Sequence, residues 1–196
     1  MLPENECLQL IRQGDVHVAT DGSNKNDEGV QGWVIANLNG RVFVRGRGRI
    51  KCARADASSL RPELMALLAV TAFISNVVQG DVDLEAREKL QMTIYTDSEN
   101  AITALSNSLY PTTKNVFENN MDVKLEVKHI LRNSPVQFHI QHVYAHQDEH
   151  VDFDQLPLEA QLNCLVDEYV GLLYSQENLE PHDEVSEFFF AQKNVP

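Results

Sequence analysis

Apolar positions alternate with polar ones through Val16, Val18 and Thr20, Ala19 lies between them, and the run stops on an acid, Asp21. This pattern predicts a core strand over about Val16–Asp21. Gly22-Ser23 reads as a turn toward a second apolar run, Gly32–Asn37. A third strand is expected over Arg41–Ile50, with Asn39-Gly40 as the hairpin signal between the last two. The period then becomes helical. Ser58 or Ser59 can cap this helix, Pro62 suits its first turn, and Leu64, Leu67, Leu68, Thr71 and Ala72 form its apolar face. The segment Val78–Lys89 reads as a polar connection. A fourth strand, Met92–Tyr95, again ends on an acid, in Thr96-Asp97-Ser98, and leads into a helix to about Leu109. Another helix is expected over Val116–Leu131, stopped by Asn133-Ser134-Pro135. A fifth strand, Val136–Tyr144, leads to His146, and Pro157 opens a last helix to about Tyr174. The order β-β-β-α-β-α-α-β-α predicts an α/β fold, a five-stranded mixed sheet flanked by helices.

The 196 residues, 43% of them hydrophobic, suffice for one core and predict a single domain. No apolar run approaches the roughly 20 residues of a membrane helix, and the acidic start Met1-Leu2-Pro3-Glu4 is unlike a signal peptide. Cys7, Cys52 and Cys164 are odd in number and far apart, which reads as reduced thiols in an intracellular protein. The net charge of −13 disfavours tight binding to a polyanion. Its distribution qualifies that. Seven cations, from Arg41 to Arg61, stand against the single acid Asp56, while His146 to Pro196 carries 12 Asp/Glu and one Lys. Arg45, Arg47 and Arg49 are either the solvated face of an exposed strand or a row of cations facing phosphates.

An acid at the end of a core strand is costly unless it is paired. Asp-Gly can be ordinary turn chemistry, but Asp97 repeats the placement of Asp21. Glu63 falls in the first turn of the first helix, and Asp167 lies among Leu162, Leu165, Val166, Tyr169 and Val170. Converging acids raise one another's pKa unless a cation neutralises them. Hard oxygen ligands of this kind suit Mg²⁺ or Mn²⁺. Two such ions can activate a water and stabilise the leaving oxygen of a phosphodiester.

The surroundings of these acids resemble the type 1 ribonuclease H family. The resemblance rests on Asp21-Gly22-Ser23, Ser58-Ser59-Leu60-Arg61-Pro62-Glu63, Tyr95-Thr96-Asp97-Ser98, Val143-Tyr144-Ala145-His146 and Asn163-Cys164-Leu165-Val166-Asp167, in that order, over roughly Val16 to Tyr174. The run from Ala145-His146 through Leu156-Pro157 to Asn163 looks most like ribonuclease H domains of retroelements. The resemblance implies an endoribonuclease that cuts the RNA strand of RNA–DNA hybrids. Asp21, Glu63, Asp97 and Asp167 would hold two Mg²⁺ ions, or Mn²⁺, and His146 would shuttle a proton or help product leave. Ser23, Ser58, Ser59 and Arg61 would meet substrate, and Asn163 would orient a ligand carboxylate. The bland readings are a surface loop for His146, a helix cap for Ser58 and a surface cation for Arg61. Residues 1–15 would be an N-terminal extension, 16–175 the catalytic domain and 176–196 an acidic tail.

Three positions depart from the family pattern. Leu60 stands where many members carry asparagine, Glu99 where glutamine is frequent, and Ala145 where glycine precedes the histidine. The first two remove amide groups, and the 2′-hydroxyl is what separates RNA from DNA. Weak, salt-sensitive binding is expected, rescued by a larger polypeptide such as a reverse transcriptase. The alternatives are a non-catalytic interaction module of the same fold and a DNA-directed nuclease. The order of the acids disfavours the second, since Glu63 is neither last nor close to Asp21 on one strand.

Overall fold

The computed structural model describes residues 4–25, 28–51, 59–79, 90–106 and 119–175. Ser58, Cys52, the start of the helix expected from Val116 and the tail from 176 lie outside them. Helix α1 (Glu4–Gln13) precedes strands β1 (Val16–Lys25), β2 (Glu28–Asn37) and β3 (Val42–Lys51). Helix α2 (Leu60–Gln79), strand β4 (Leu90–Thr96), helices α3 (Glu99–Ser106) and α4 (Met121–Asn133), strand β5 (Val136–His142) and helix α5 (Leu158–Ser175) follow. The sheet runs β3-β2-β1-β4-β5, antiparallel across the first two pairings and parallel across the last two. The expected five-stranded mixed sheet with flanking helices is the observed one.

Helices cover both faces. Val18, Trp33, Ile35 and Ile94 meet Leu64, Leu67, Val70 and Ile74 of α2 on one side. Ala19, Val30 and Val34 meet Leu162, Val166 and Val170 of α5 on the other. β2 is therefore buried almost from end to end, as a strand covered on both faces should be. The hairpin expected at Asn39-Gly40 forms, with Asn37 Oδ1 accepting from the N–H groups of Asn39 (3.1 Å) and Arg41 (3.0 Å).

Three expectations change. Gly22-Ser23 is not a turn: β1 continues through it to Lys25, because β2 supplies ladder partners as far as Glu28. α2 runs on to Gln79, since Val77 and Val78 are core residues rather than the start of a polar connection. Residues 4–13, expected only as an extension, form a helix whose Cys7 and Ile11 are buried. By length and composition α2 could cross a bilayer, although no apolar run of that length was expected. Here its apolar face supplies the core.

Candidate active site

Three carboxylates converge where β1, β4 and α2 meet. Asp21 sits within β1, opposite Gly32 of β2. Asp97 follows directly on β4, which runs parallel to β1. Glu63 comes from the first turn of α2. One oxygen from each lies within 4.8 Å of the other two. Gly22 makes this convergence possible. A Cβ there would overlap the backbone of Pro62 and Glu63, so the missing side chain lets the end of α2 press against β1. Sequence reading assigned that glycine to a turn.

Burial makes these acids unusual. Asp21 is 6% exposed and Glu63 7%. Asp21 Oδ2 and Glu63 Oε2 are buried without a hydrogen-bond partner among the described residues. Burial, then the charges of Asp97 and Asp167, push the Asp21 pKa up to about 7, against a hydrogen bond from the Gly22 N–H and the weaker influence of His146. Burial, then Asp21 and Asp97, push Glu63 up to about 10. Asp97 is also raised, first by burial, while a hydrogen bond from the Asn163 side chain opposes the rise. A divalent cation is the natural complement to this donor set: hard, anionic oxygens, two of them buried and unpartnered.

Asp167 and His146 stand at the rim. Asp167 is half exposed, and its Oδ2 lies 3.9 Å from His146 Nδ1. Its charge acts on Asp21 and Asp97, but it is outside the compact group of three. His146 is 62% exposed on its side chain and adopts a left-handed backbone, φ 50°. The loop bearing it is anchored by the Val143 N–H, which donates to Thr96 O at 3.0 Å, directly before Asp97. Cys164 Sγ donates to Asp148 Oδ1 (3.4 Å), tying the acidic turn to α5. Asn163 is 2% exposed and holds Asp97 from α5.

The other residues expected to meet substrate are placed differently from one another. Ser23 bonds to the Tyr174 hydroxyl of α5, and Ser59 is exposed just before α2. Arg61 is joined to Asp122 of α4 by two bonds of 2.8 and 3.0 Å, one from each terminal nitrogen to each carboxylate oxygen. Glu99 Oε1 is 4.0 Å from His142 Nε2. Neither pairing had a signal in the spacing of the chain. The arginines of β3 face α5: Arg47 Nη1 donates to Tyr169 O (3.1 Å) and Arg49 Nη2 to Leu173 O (2.7 Å).

A profile of the RNase H family matches residues 13–169, spanning all five strands and the four carboxylates. The chain belongs to the RNase H family. Among solved structures its fold is similar to LC11-RNase H1, isolated from compost by a metagenomic approach, with 15% identity over 82% of this chain and 99% of that one and a TM-score of 0.53. It is also similar to the foamy viral protease-reverse transcriptase in complex with dsDNA, with 16% identity over 87% of this chain and 96% of that chain and a TM-score of 0.56. The foamy viral protease-reverse transcriptase in complex with RNA/DNA hybrid matches with 14% identity, a TM-score of 0.52, and 87% coverage of this chain but 21% of that one. No curated protein matches the sequence. At such identities the structural likeness concerns the RNase H fold alone.

Proposed function

We propose that this RNase H-family protein is an endoribonuclease that hydrolyses the RNA strand of RNA–DNA hybrids with two divalent ions, Mg²⁺ or Mn²⁺. The observation that carries this reading is the convergence of Asp21, Glu63 and Asp97, two of them buried with an unpartnered oxygen. Such a cluster is unfavourable as an empty structural element and favourable around a cation. Asp21, Glu63 and Asp97 would hold metal, and Asp167 would complete the set from the rim. When bound, the ions would activate a water and stabilise the oxygen leaving the phosphodiester.

The chain's own residues divide the remaining work. Asn163 fixes the Asp97 carboxylate by hydrogen bond, so that its orientation does not depend on the ion. His146, exposed and with Nδ1 toward Asp167, can take or give a proton at Nε2. The hybrid as substrate is supported by family membership and by a fold neighbour that was captured with RNA/DNA hybrid. That neighbour is a protease-reverse transcriptase, which supports a retroelement setting in which a larger polypeptide grips the hybrid.

The test is cleavage of labelled RNA–DNA hybrid beside RNA–RNA and DNA–DNA duplexes, at low salt with Mg²⁺ or Mn²⁺. Hybrid-only cutting that Asp97→Asn abolishes is the expected result. Cutting of DNA duplex would replace the substrate. A folded protein that neither cuts nor binds metal would make it an interaction module.

A further inference from the structure

Arg45, Arg47 and Arg49 alternate along β3 and so share one face of the strand. That face is turned to α5. The guanidinium carbons of Arg45 and Arg47 each lie 4.6 Å from the centroid of the Tyr169 ring. Arg47 also donates to the Tyr169 carbonyl (3.1 Å). Arg49 donates to the carbonyl of Leu173 (2.7 Å), in the last turn of the helix, and pairs with Glu28 at the start of β2 (3.1 Å). Tyr169 is thus held by its ring and its backbone at once. Cation–π contacts to a largely buried ring are among the stronger ones.

This grip lies close to the acids. Tyr169 follows Asp167 by two residues and Asn163 by six on the same helix. Beneath it, Gly32 leaves room for Val170, whose Cγ2 would stand 2.5 Å from a Cβ placed there. The helix therefore rests hard on β2, and a slide along its axis is what the arginines oppose. A slide of one residue moves a helical side chain by about 1.5 Å and turns it by about 100°. Either motion would take the Asn163 amide away from Asp97.

We infer that Arg45 and Arg47 are positioning residues: by gripping Tyr169 they set where α5 holds Asn163 against Asp97 and Asp167 at the rim of the acid cluster. The inference rests on the proposed nuclease reading but is tested partly without it. It assigns the β3 arginines to the protein itself, rather than to substrate phosphates or to solvent. Glutamine in place of each arginine keeps a polar side chain on the strand and removes the cation from the ring.

The experiment compares the full-length wild type with the Arg45→Gln/Arg47→Gln double variant by Mn²⁺ calorimetry and by steady-state cleavage of RNA–DNA hybrid across salt concentrations. The expected result is Mn²⁺ affinity weakened about tenfold and kcat lowered about tenfold, as for a small misplacement of catalytic groups. KM and its salt dependence should stay within about twofold, because neither arginine meets a phosphate. A raised KM with a shallower salt slope, at unchanged kcat and Mn²⁺ affinity, would overturn the inference and put the row against nucleic acid. No change in any quantity would overturn it too. If the double variant does not fold, Arg45→Gln alone decides: Mn²⁺ affinity weakened about threefold supports the inference, and wild-type affinity defeats it. A wild type that binds Mn²⁺ but cuts no hybrid would point to a missing partner polypeptide, and the calorimetric comparison would then decide the inference by itself. A wild type that binds no Mn²⁺ defeats both.

Discussion

Asp21 and Glu63 keep protons that ordinary carboxylates surrender well below neutrality, and this fixes the sign of their effect on stability. Their folded pKa values, about 7 and about 10, lie above the ordinary 3.8 and 4.5. Between those limits the folded chain binds more protons than the unfolded chain, so stability falls as pH rises. The contribution is complete below about pH 4 and is lost as pH passes 7 for Asp21 and then approaches 10 for Glu63. Metal-free protein should therefore unfold at lower urea concentration at pH 8.5 than at pH 5.5, and Mg²⁺ should recover part of the difference. Asp21→Asn should raise metal-free stability at pH 8 by roughly 1–3 kcal/mol while abolishing metal binding and cleavage. A metal-free variant less stable than wild type would show that Asp21 carries no burial penalty. The identity of these acids was legible, because each sits at a recognisable point in the pattern of strands and helices. The Arg61–Asp122 fork was not, since composition does not say which of several cations meets an acid 61 residues away.

At the scale of elements, the joint between β1 and the start of α2 is the tightest point near the site. Gly22→Ala would push a methyl group into the backbone of Pro62 and Glu63. It should cost about 3 kcal/mol, in the range of severe overpacking. Even under conditions where the variant is folded, its metal affinity should fall, because Glu63 must retreat with the helix. Urea denaturation and metal calorimetry measure the two effects separately. A Gly22→Ala variant with wild-type values in both would mean that β1 and α2 have slack. The strands and the long helices were readable from their periods, and their ends were not. β1 passes Asp21 because β2 continues to pair with it, and α2 passes Ala72 because Val77 and Val78 find the core. Residues 4–13 carry Cys7, Leu8, Leu10 and Ile11 on a segment too short to be helical alone, and packing into the core beside α2 makes a helix of them worthwhile.

For the whole molecule the question is how a chain of net charge −13 would hold a polyanion. Arg45, Arg47 and Arg49 engage α5 and its neighbourhood, and Arg61 is forked onto Asp122. The cations that sequence reading offered to phosphates are thus largely occupied within the fold. Binding of hybrid should be weak, and log K should fall with log salt concentration with a slope of about −2, that of two or three neutralised phosphates. A slope near −5 would mean that the arginines leave their partners when hybrid arrives. Fold and acid cluster were legible because both are written in local pattern and order. The charge economy was not, because it depends on which surfaces the fold brings together.

The overlap avoided at Gly22 also says where the site could be altered. Strand and helix touch there through an absent side chain, so positions 22 and 62 form one lock. Remodelling that spreads the acids to admit a larger ion would have to begin by shifting the backbone at Pro62. Any side chain added at 22 first would eject Glu63 before new space had been made. The order of such changes is thereby constrained: an evolving or engineered lineage would reach a wider metal site through the helix before the strand could follow.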